Sequence, residues 1–233
     1  MHPSHLGRGV FCGIMKRKLF SLRMPTKTKN NLTRKLKIGV MGSASGPTLY
    51  KKDNEAKCER VGRAIAKNNC MTITGACPGL PHFAAKGAKE AGGFVLGVSP
   101  AFSEHEHVRE YKSPNEYYDI IIFSALGFME RDIMNIRSSD GVVFLGGGIG
   151  TMNEFTVAFE EGKPIGILTN SGGLSDYFLE FIGKADRSVT PNIVTDDDPE
   201  KLIEKLIKVI HLYPTPIHED GRVVDVKFGK ARG

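Results

Sequence analysis

Leu145 to Glu154 reads LGGGIGTMNE, four glycines in five residues followed by a threonine and, three residues on, a glutamate. Gly147, Gly148 and Gly150 let backbone amides come close to a ligand, and a helix starting here would add its own unpaired N–H groups. The natural guest of such a cradle is an anion such as a phosphate. Glu154 has two readings. With Thr151 it has the spacing of a capping box, in which hydroxyl and carboxylate satisfy the first free amides of a helix. Alternatively, held ionised by the helix N-terminus, it points at a ligand, where it could bind sugar hydroxyls, stabilise a developing positive charge or activate water. Spacing leaves both open.

Two further loops are built from small residues, GSASG from Gly42 and TGACPG from Thr74. Neither they nor the first loop carries G-x-x-x-x-G-K-[ST], which argues against a P-loop, and none supplies G-x-G-x-x-G in register. The apolar run after the first loop ends GILTNSGG, with no acidic residue for a ribose diol, so a dinucleotide site is disfavoured. In SEHEHVRE, His105 and His107 flank Glu106. With no third ligand in sight, this segment is expected to be an exposed loop and not a metal site. His82, shortly after the Pro78-Gly79 turn, is a candidate to face the same crevice as Gly75. A pyridoxal-dependent decarboxylase would need a Schiff-base lysine, and none of these loops offers one.

The elements that must position these loops follow from the hydrophobic pattern. Short apolar runs begin at Lys37, Met71, Phe94, Tyr117, Gly141, Pro164 and Asn192. Most lack polar alternation, as expected for strands buried on both faces of a parallel sheet. Amphipathic stretches lie between them. One spans about Asn54 to Asn68, with Cys58, Val61 and Ile65 on one stripe and Asp53 placed to cap it. A second spans Leu126 to Arg137, with Met129, Ile133 and Ile136 on one side, and a third spans Pro199 to His211, aligning Leu202, Leu206 and Ile210. The alternation predicts a doubly wound α/β fold, a mostly parallel Rossmann-like sheet of about seven strands flanked by helices. Ligands then bind beyond the carboxyl ends of the strands, where all three small-residue loops lie.

A chain of 233 residues accommodates one substantial core. Its net charge of +6 is unevenly placed: ten of the 32 bases precede Ile38, and the first acid is Asp53. The body is mildly acidic, so nucleic-acid binding is not expected. Residues 1–36 read as a basic, disordered extension, with an organellar transit peptide or a later start at Met24 as alternatives. Residues 37–213 read as the domain and 214–233 as a tail. No apolar segment reaches the length of a membrane span. Cys12, Cys58, Cys70 and Cys77 show neither C-x-x-C nor zinc-site spacing, and are expected to be free thiols in a reducing cytoplasm.

The motifs GGxGTxxE at Gly147 to Glu154, GSASGPTLY at Gly42 to Tyr50, TGACPGLPHFAAKGAKEAGG at Thr74 to Gly93 and MERDIMNIRSSDGVVFL at Met129 to Leu145 together resemble the LOG (LONELY GUY) family. Its members are cytokinin-activating phosphoribohydrolases, often mislabelled lysine decarboxylases. The resemblance covers about Ile38 to Leu206. It implies that Gly147, Gly148, Gly150 and Thr151 hold a nucleotide phosphate, that Glu154 is the catalytic acid with Arg131 its partner, and that Ser43, Gly46, Gly75, Gly79 and Met134 line the nucleotide site. It further implies cleavage of the N-glycosidic bond of a nucleoside 5′-monophosphate to a free base of adenine or cytokinin type and ribose 5-phosphate, without metal or cofactor, in a homodimer. Two positions depart from the family pattern: Gly146 stands where it has proline, and Asp132 where it has lysine. The GGGxGT form also occurs in relatives described as nucleotide-binding or molybdenum-cofactor carrier proteins, which keeps a non-catalytic carrier as the alternative.

Overall fold

Runs without polar alternation become strands here because helices cover both faces of the sheet they form. The computed structural model describes residues 34–46 and 53–213. Seven runs make one sheet: β1 (Lys37–Gly42), β2 (Met71–Thr74), β3 (Val95–Ser99), β4 (Ile120–Phe123), β5 (Gly141–Leu145), β6 (Ile165–Leu168) and β7 (Ile193–Asp196). Helices alternate with them: α1 (Asn54–Lys67), α2 (Leu80–Glu90), α3 (Glu104–Arg109), α4 (Gly127–Ser138), α5 (Ile149–Glu160), α6 (Phe178–Lys184) and α7 (Pro199–Leu212), with a 3-10 turn at Gly173–Tyr177. The order is β4-β3-β2-β1-β5-β6-β7, and all six pairings are parallel. This is the doubly wound architecture expected from the pattern. The tail at 214–233 and the extension up to residue 33 lie outside the described residues.

Strand order reverses between β1 and β5, which pair directly with Gly42 opposite Leu145. The chains leaving these two strands therefore emerge side by side, with the end of β2 next to β1 and the end of β6 next to β5. A switch point of this kind opens a crevice that sequential strands would close.

The core lies on both faces. On one, Ile38 and Val40 of β1 and Val143 and Leu145 of β5 pack against Cys58, Val61 and Ile65 of α1 and Leu202 and Leu206 of α7. The expected stripes of α1 and α7 are thus the buried ones. On the other, Met41, Phe144 and Ile167 meet Ile136 of α4, Phe155 of α5 and Phe178 of α6. Phe155 and Phe178 stack with centroids 3.9 Å apart, and Phe144 meets Phe178 edge-on at 5.7 Å. Truncating an aromatic buried in this way costs about 3–5 kcal/mol, so this cluster fixes α5 firmly against the sheet.

Three expectations are corrected. Asp53 precedes α1 in a left-handed conformation (φ 68°) and makes no side-chain cap bond. On α4 the buried residues are Arg131, Asp132, Asn135 and Ile136, whereas Met129 is 55% exposed. The reason is that this helix borders the crevice as well as the core, so its inward face is mostly polar. The His105–His107 segment belongs to helix α3 and not to an exposed loop: His107 is fully buried, its Nδ1 2.8 Å from Ser99 Oγ and its Nε2 3.1 Å from the Pro114 carbonyl oxygen. Both ring nitrogens are therefore used in pinning the segment after β3.

Candidate active site

The glycine loop is clamped on two sides before it reaches any ligand. The Gly147 N–H donates to Ser43 Oγ at 2.7 Å, joining the β5 loop to the β1 loop across the switch point. The Gly146 N–H donates to Ser171 Oγ at 2.9 Å, and the carbonyls of Gly147 and Gly146 accept from Leu174 and Ser175. Gly147 has φ 99°, and a Cβ there would stand 2.5 Å from Thr151 Cβ, so only glycine lets the threonine fold under the loop. These contacts hold the backbone while α5 begins.

The capping box does not form. The N-cap of α5 is Gly148, without a side-chain cap, and Thr151 lies in the first turn with Glu154 in the second. The amides of Ile149, Gly150 and Thr151 precede the first residue with an intrahelical acceptor, Met152, whose N–H donates to the Gly148 carbonyl. Gly148 and Gly150 are exposed, and a Cβ at either would meet nothing within 4 Å. An open, uncapped helix start on a rigid loop suits a phosphate.

Behind it lies a buried charge cluster. Arg131 and Glu154 are 5% and 7% exposed. A Cβ on Gly75 would lie 1.7 Å from Arg131 Nη1, so the bare backbone after β2 is the seat of the guanidinium. Arg131 Nη1 is 3.5 Å from Asp132 Oδ1. Its Nε has no hydrogen-bond partner among the described residues, and neither has the side-chain amide of the fully buried Asn135. Burial, then the charge of Asp132, pushes the Glu154 carboxyl up to about 8 against the pull of Arg131. This overturns the expectation of a carboxylate held ionised by the helix end, since the dipole's influence fades beyond the first turn and desolvation prevails. Cys77 feels all three charges, and burial raises its thiol to about 11, too high for a thiolate nucleophile at neutral pH. Tyr118 reaches up to Thr74, 3.2 Å between hydroxyls, beneath this group.

Of the residues singled out from sequence, Ser43, Gly147 and Thr151 meet in one contact set, and Arg131 and Glu154 share the cluster. Gly75 and Gly79 make space for neighbours: a Cβ on Gly79 (φ 87°) would stand 2.3 Å from the Ser43 carbonyl oxygen. Gly46 is exposed (φ 92°) just before residues 47–52, which lie outside the described residues. Met134 is half-buried on α4, and the centroid of the His82 ring lies 5.3 Å from that of Tyr117 and 6.3 Å from that of Tyr118. Sequence reading missed Ser171, Asn135 and the placement of Cys77. The strand-end run TNSGG pointed to the first, and the Arg131–Asn135 spacing of one helical turn to the second.

The SLOG cluster4 family matches residues 35–203, the span of this sheet and its loops. The chain belongs to that family. Among relatives of this SLOG domain is an Arabidopsis thaliana protein named cytokinin riboside 5′-monophosphate phosphoribohydrolase LOG5, 29% identical over 177 residues, covering 71% of this chain and 74% of that one. Among solved structures, the molybdenum cofactor binding protein of Rippkaea orientalis superposes with a TM-score of 0.61 at 29% identity, covering 76% of this chain and 98% of that one. The molybdenum cofactor carrier protein of Chlamydomonas reinhardtii gives 0.61 at 28% identity, covering 76% and 99%. The LOG-like resemblance is thus shown at family level, with enzymes and carriers on the same fold. None of the described helices is long and apolar enough to cross a membrane.

Proposed function

We propose that the protein is a cytoplasmic phosphoribohydrolase that cleaves the N-glycosidic bond of a nucleoside 5′-monophosphate, releasing an adenine- or cytokinin-type base and ribose 5-phosphate. The observation that carries this reading is that Arg131 and Glu154 are both buried in one charge cluster, with Glu154 one turn into the helix whose open start would hold the phosphate. The phosphate docks on the amides of Ile149, Gly150 and Thr151, which fixes the ribose over the pair. Glu154, kept in its acid form, donates its proton to the leaving base as the electron pair of the C–N bond departs with it. The carboxylate left behind faces the ribosyl cation, where a nearby negative charge is most effective. Water adds at the anomeric carbon and its proton restores Glu154. Arg131, with its planar fork of donors, orients the substrate or the carboxylate.

The named activity of the Arabidopsis relative supports this reading. So does a free-thiol setting for Cys58, Cys70 and Cys77, which suits a reducing compartment. A homodimer belongs to the same proposal. The register Gly39–Ile73–Leu96–Ile120 puts Ile120 on the α4 side of the sheet, yet Ile120 and Ile122 are 49% and 42% exposed, beside exposed Leu126, Phe128 and Met129. Phe128→Glu would yield monomers in a sedimentation experiment if this face pairs two copies.

A second reading, a carrier that binds a phosphate-bearing cofactor without cleaving it, is favoured by Asp132, which matches the charge of Arg131 before any substrate arrives. One assay separates the two: release of free base and ribose 5-phosphate from AMP and N6-isopentenyl-AMP by the wild type, Glu154→Gln and Arg131→Ala. Turnover lost in both folded variants, on the order of 100-fold or more, supports the hydrolase. Saturable binding with no turnover of either nucleotide sinks it for these substrates.

A further inference from the structure

Two buried carboxylates and one buried guanidinium do not balance. Arg131, Asp132 and Glu154 are 5%, 6% and 7% exposed, and the short Arg131–Asp132 contact already pairs the one cation with its sequence neighbour. Glu154 stands on α5, which packs on α4, and shares this buried region with both charges and with Cys77, without an ion pair of its own among the described residues. Around these three lie Cys77 from the loop after β2, Asn153 of α5, Tyr118 before β4 and Phe128 of α4, whose ring centroid is 6.0 Å from Arg131 Cζ. None adds a second positive charge. An uncompensated buried carboxylate is costly enough that it keeps a proton instead.

We propose that Asp132 and Glu154 work as a single carboxylate pair set on Arg131, retaining one proton between them, with Asp132 the positioning residue that keeps Glu154 in the acid form. Asp132 carries the charge that matches Arg131, and Glu154 keeps the proton. The electrostatics agree: after burial, the Asp132 charge is the main influence holding Glu154 up, and burial raises Asp132 itself against the pull of Arg131. Groups linked this closely titrate as a unit in two steps. The pairing stands on the geometry of the cluster, while its catalytic use rests on the hydrolase reading: a proton must be on Glu154 when the base leaves, and lysine in place of Asp132 would remove the reason for it to be there.

Carbon-13 NMR of the aspartate and glutamate carboxyl carbons in the full chain, followed across the acidic to alkaline range, reads the pair without any turnover. The wild type is expected to show two linked steps. In Asp132→Asn the Glu154 step moves down by about one pH unit or more, because the like charge is gone and Arg131 is freed. In Glu154→Gln the upper step vanishes and a single step remains on the acidic side; this arm reads the same pair should Asp132→Asn not fold. An upper step that stays in place in folded Asp132→Asn, or that survives in Glu154→Gln, overturns the proposal. Where turnover is measurable, the alkaline limb of kcat/KM shifts down with the Glu154 step in Asp132→Asn, with kcat affected more than KM. Linked titration without turnover supports the pair and tells against the hydrolase reading alone.

Discussion

The starts of α5 and α7 solve one problem in opposite ways. Both helices follow a strand of the same sheet, and both expose three or four amides with no intrahelical acceptor. At α7 the chain satisfies them itself: Asp198 accepts from the Lys201 N–H at 3.0 Å, and Pro199 occupies the first turn. At α5 the corresponding residue is Gly148, which has no side chain to offer. A capping residue of the Ser, Asp or Asn type contributes about 0.5–2 kcal/mol, so α5 forgoes stability that α7 takes. The same loop is anchored by Ser43 and Ser171, and so the missing cap leaves a rigid end and not a frayed one. An open end on a fixed support is what a ligand site requires.

The sharpest way to break the contrast is to give α5 the start of α7. Gly148 has a negative φ of −120° and free space where a Cβ would stand, so the side chain of Gly148→Asp meets no neighbour. Its carboxylate is expected to cap the open amides, raising stability by about 1 kcal/mol in thermal unfolding. It should weaken nucleotide binding on the order of 100-fold by competing for the phosphate site, measured by calorimetry. A more stable protein that binds nucleotide as well as the wild type would mean that the α5 start is not the anion site. Gly75→Ala attacks the second half of the site. Its Cβ collides with the mobile end of Arg131, so the fold should survive while the guanidinium is displaced. Turnover is expected to fall as far as in Arg131→Ala, and retention of wild-type rates would show that the position of Arg131 is not used.

The fold was legible because its signals are local. Runs such as MTIT and GVVFL, rich in apolar and β-branched residues, are β2 and β5 at the same residues. The site was only partly legible, since its decisive facts are relations between distant segments. Thr151 and Glu154 have the spacing of a capping box, but the bond from Gly147 to Ser43, 104 residues away, fixes the loop so that the helix begins earlier. Met129 looks like a core residue at helical spacing, yet α4 turns Arg131, Asp132 and Asn135 inward because the crevice lies there. The charge state of Glu154 is not legible for the same reason: the helix dipole is visible in one segment, whereas burial and the company of Asp132 are not.

Asp198→Ala tests the other side of the comparison. Removing the α7 cap should cost about 1 kcal/mol in chemical unfolding and leave nucleotide affinity unchanged, because the start of α7 follows β7, two strands from β5 and the switch point. A loss of affinity comparable to that of Gly148→Asp would erase the distinction between the two helix ends.

The remaining effect concerns how stability depends on pH. Glu154 is raised from 4.5 to about 8 in the folded protein, so between these values the folded state holds a proton that the unfolded state has released. Stability contributed by this group is therefore complete below the unfolded value and is lost as pH rises through the folded one, with a slope of at most about 1.4 kcal/mol per pH unit. Glu154→Gln cannot release a proton, so its unfolding free energy should be flatter across that window than the wild type's, as denaturant titrations at several pH values would reveal. The Gly148→Asp variant should keep the wild-type slope, because it changes the first turn and not the buried cluster. If Glu154→Gln and the wild type run parallel, the carboxyl is already ionised in the folded protein, and proton donation to the leaving base would have to come from another group.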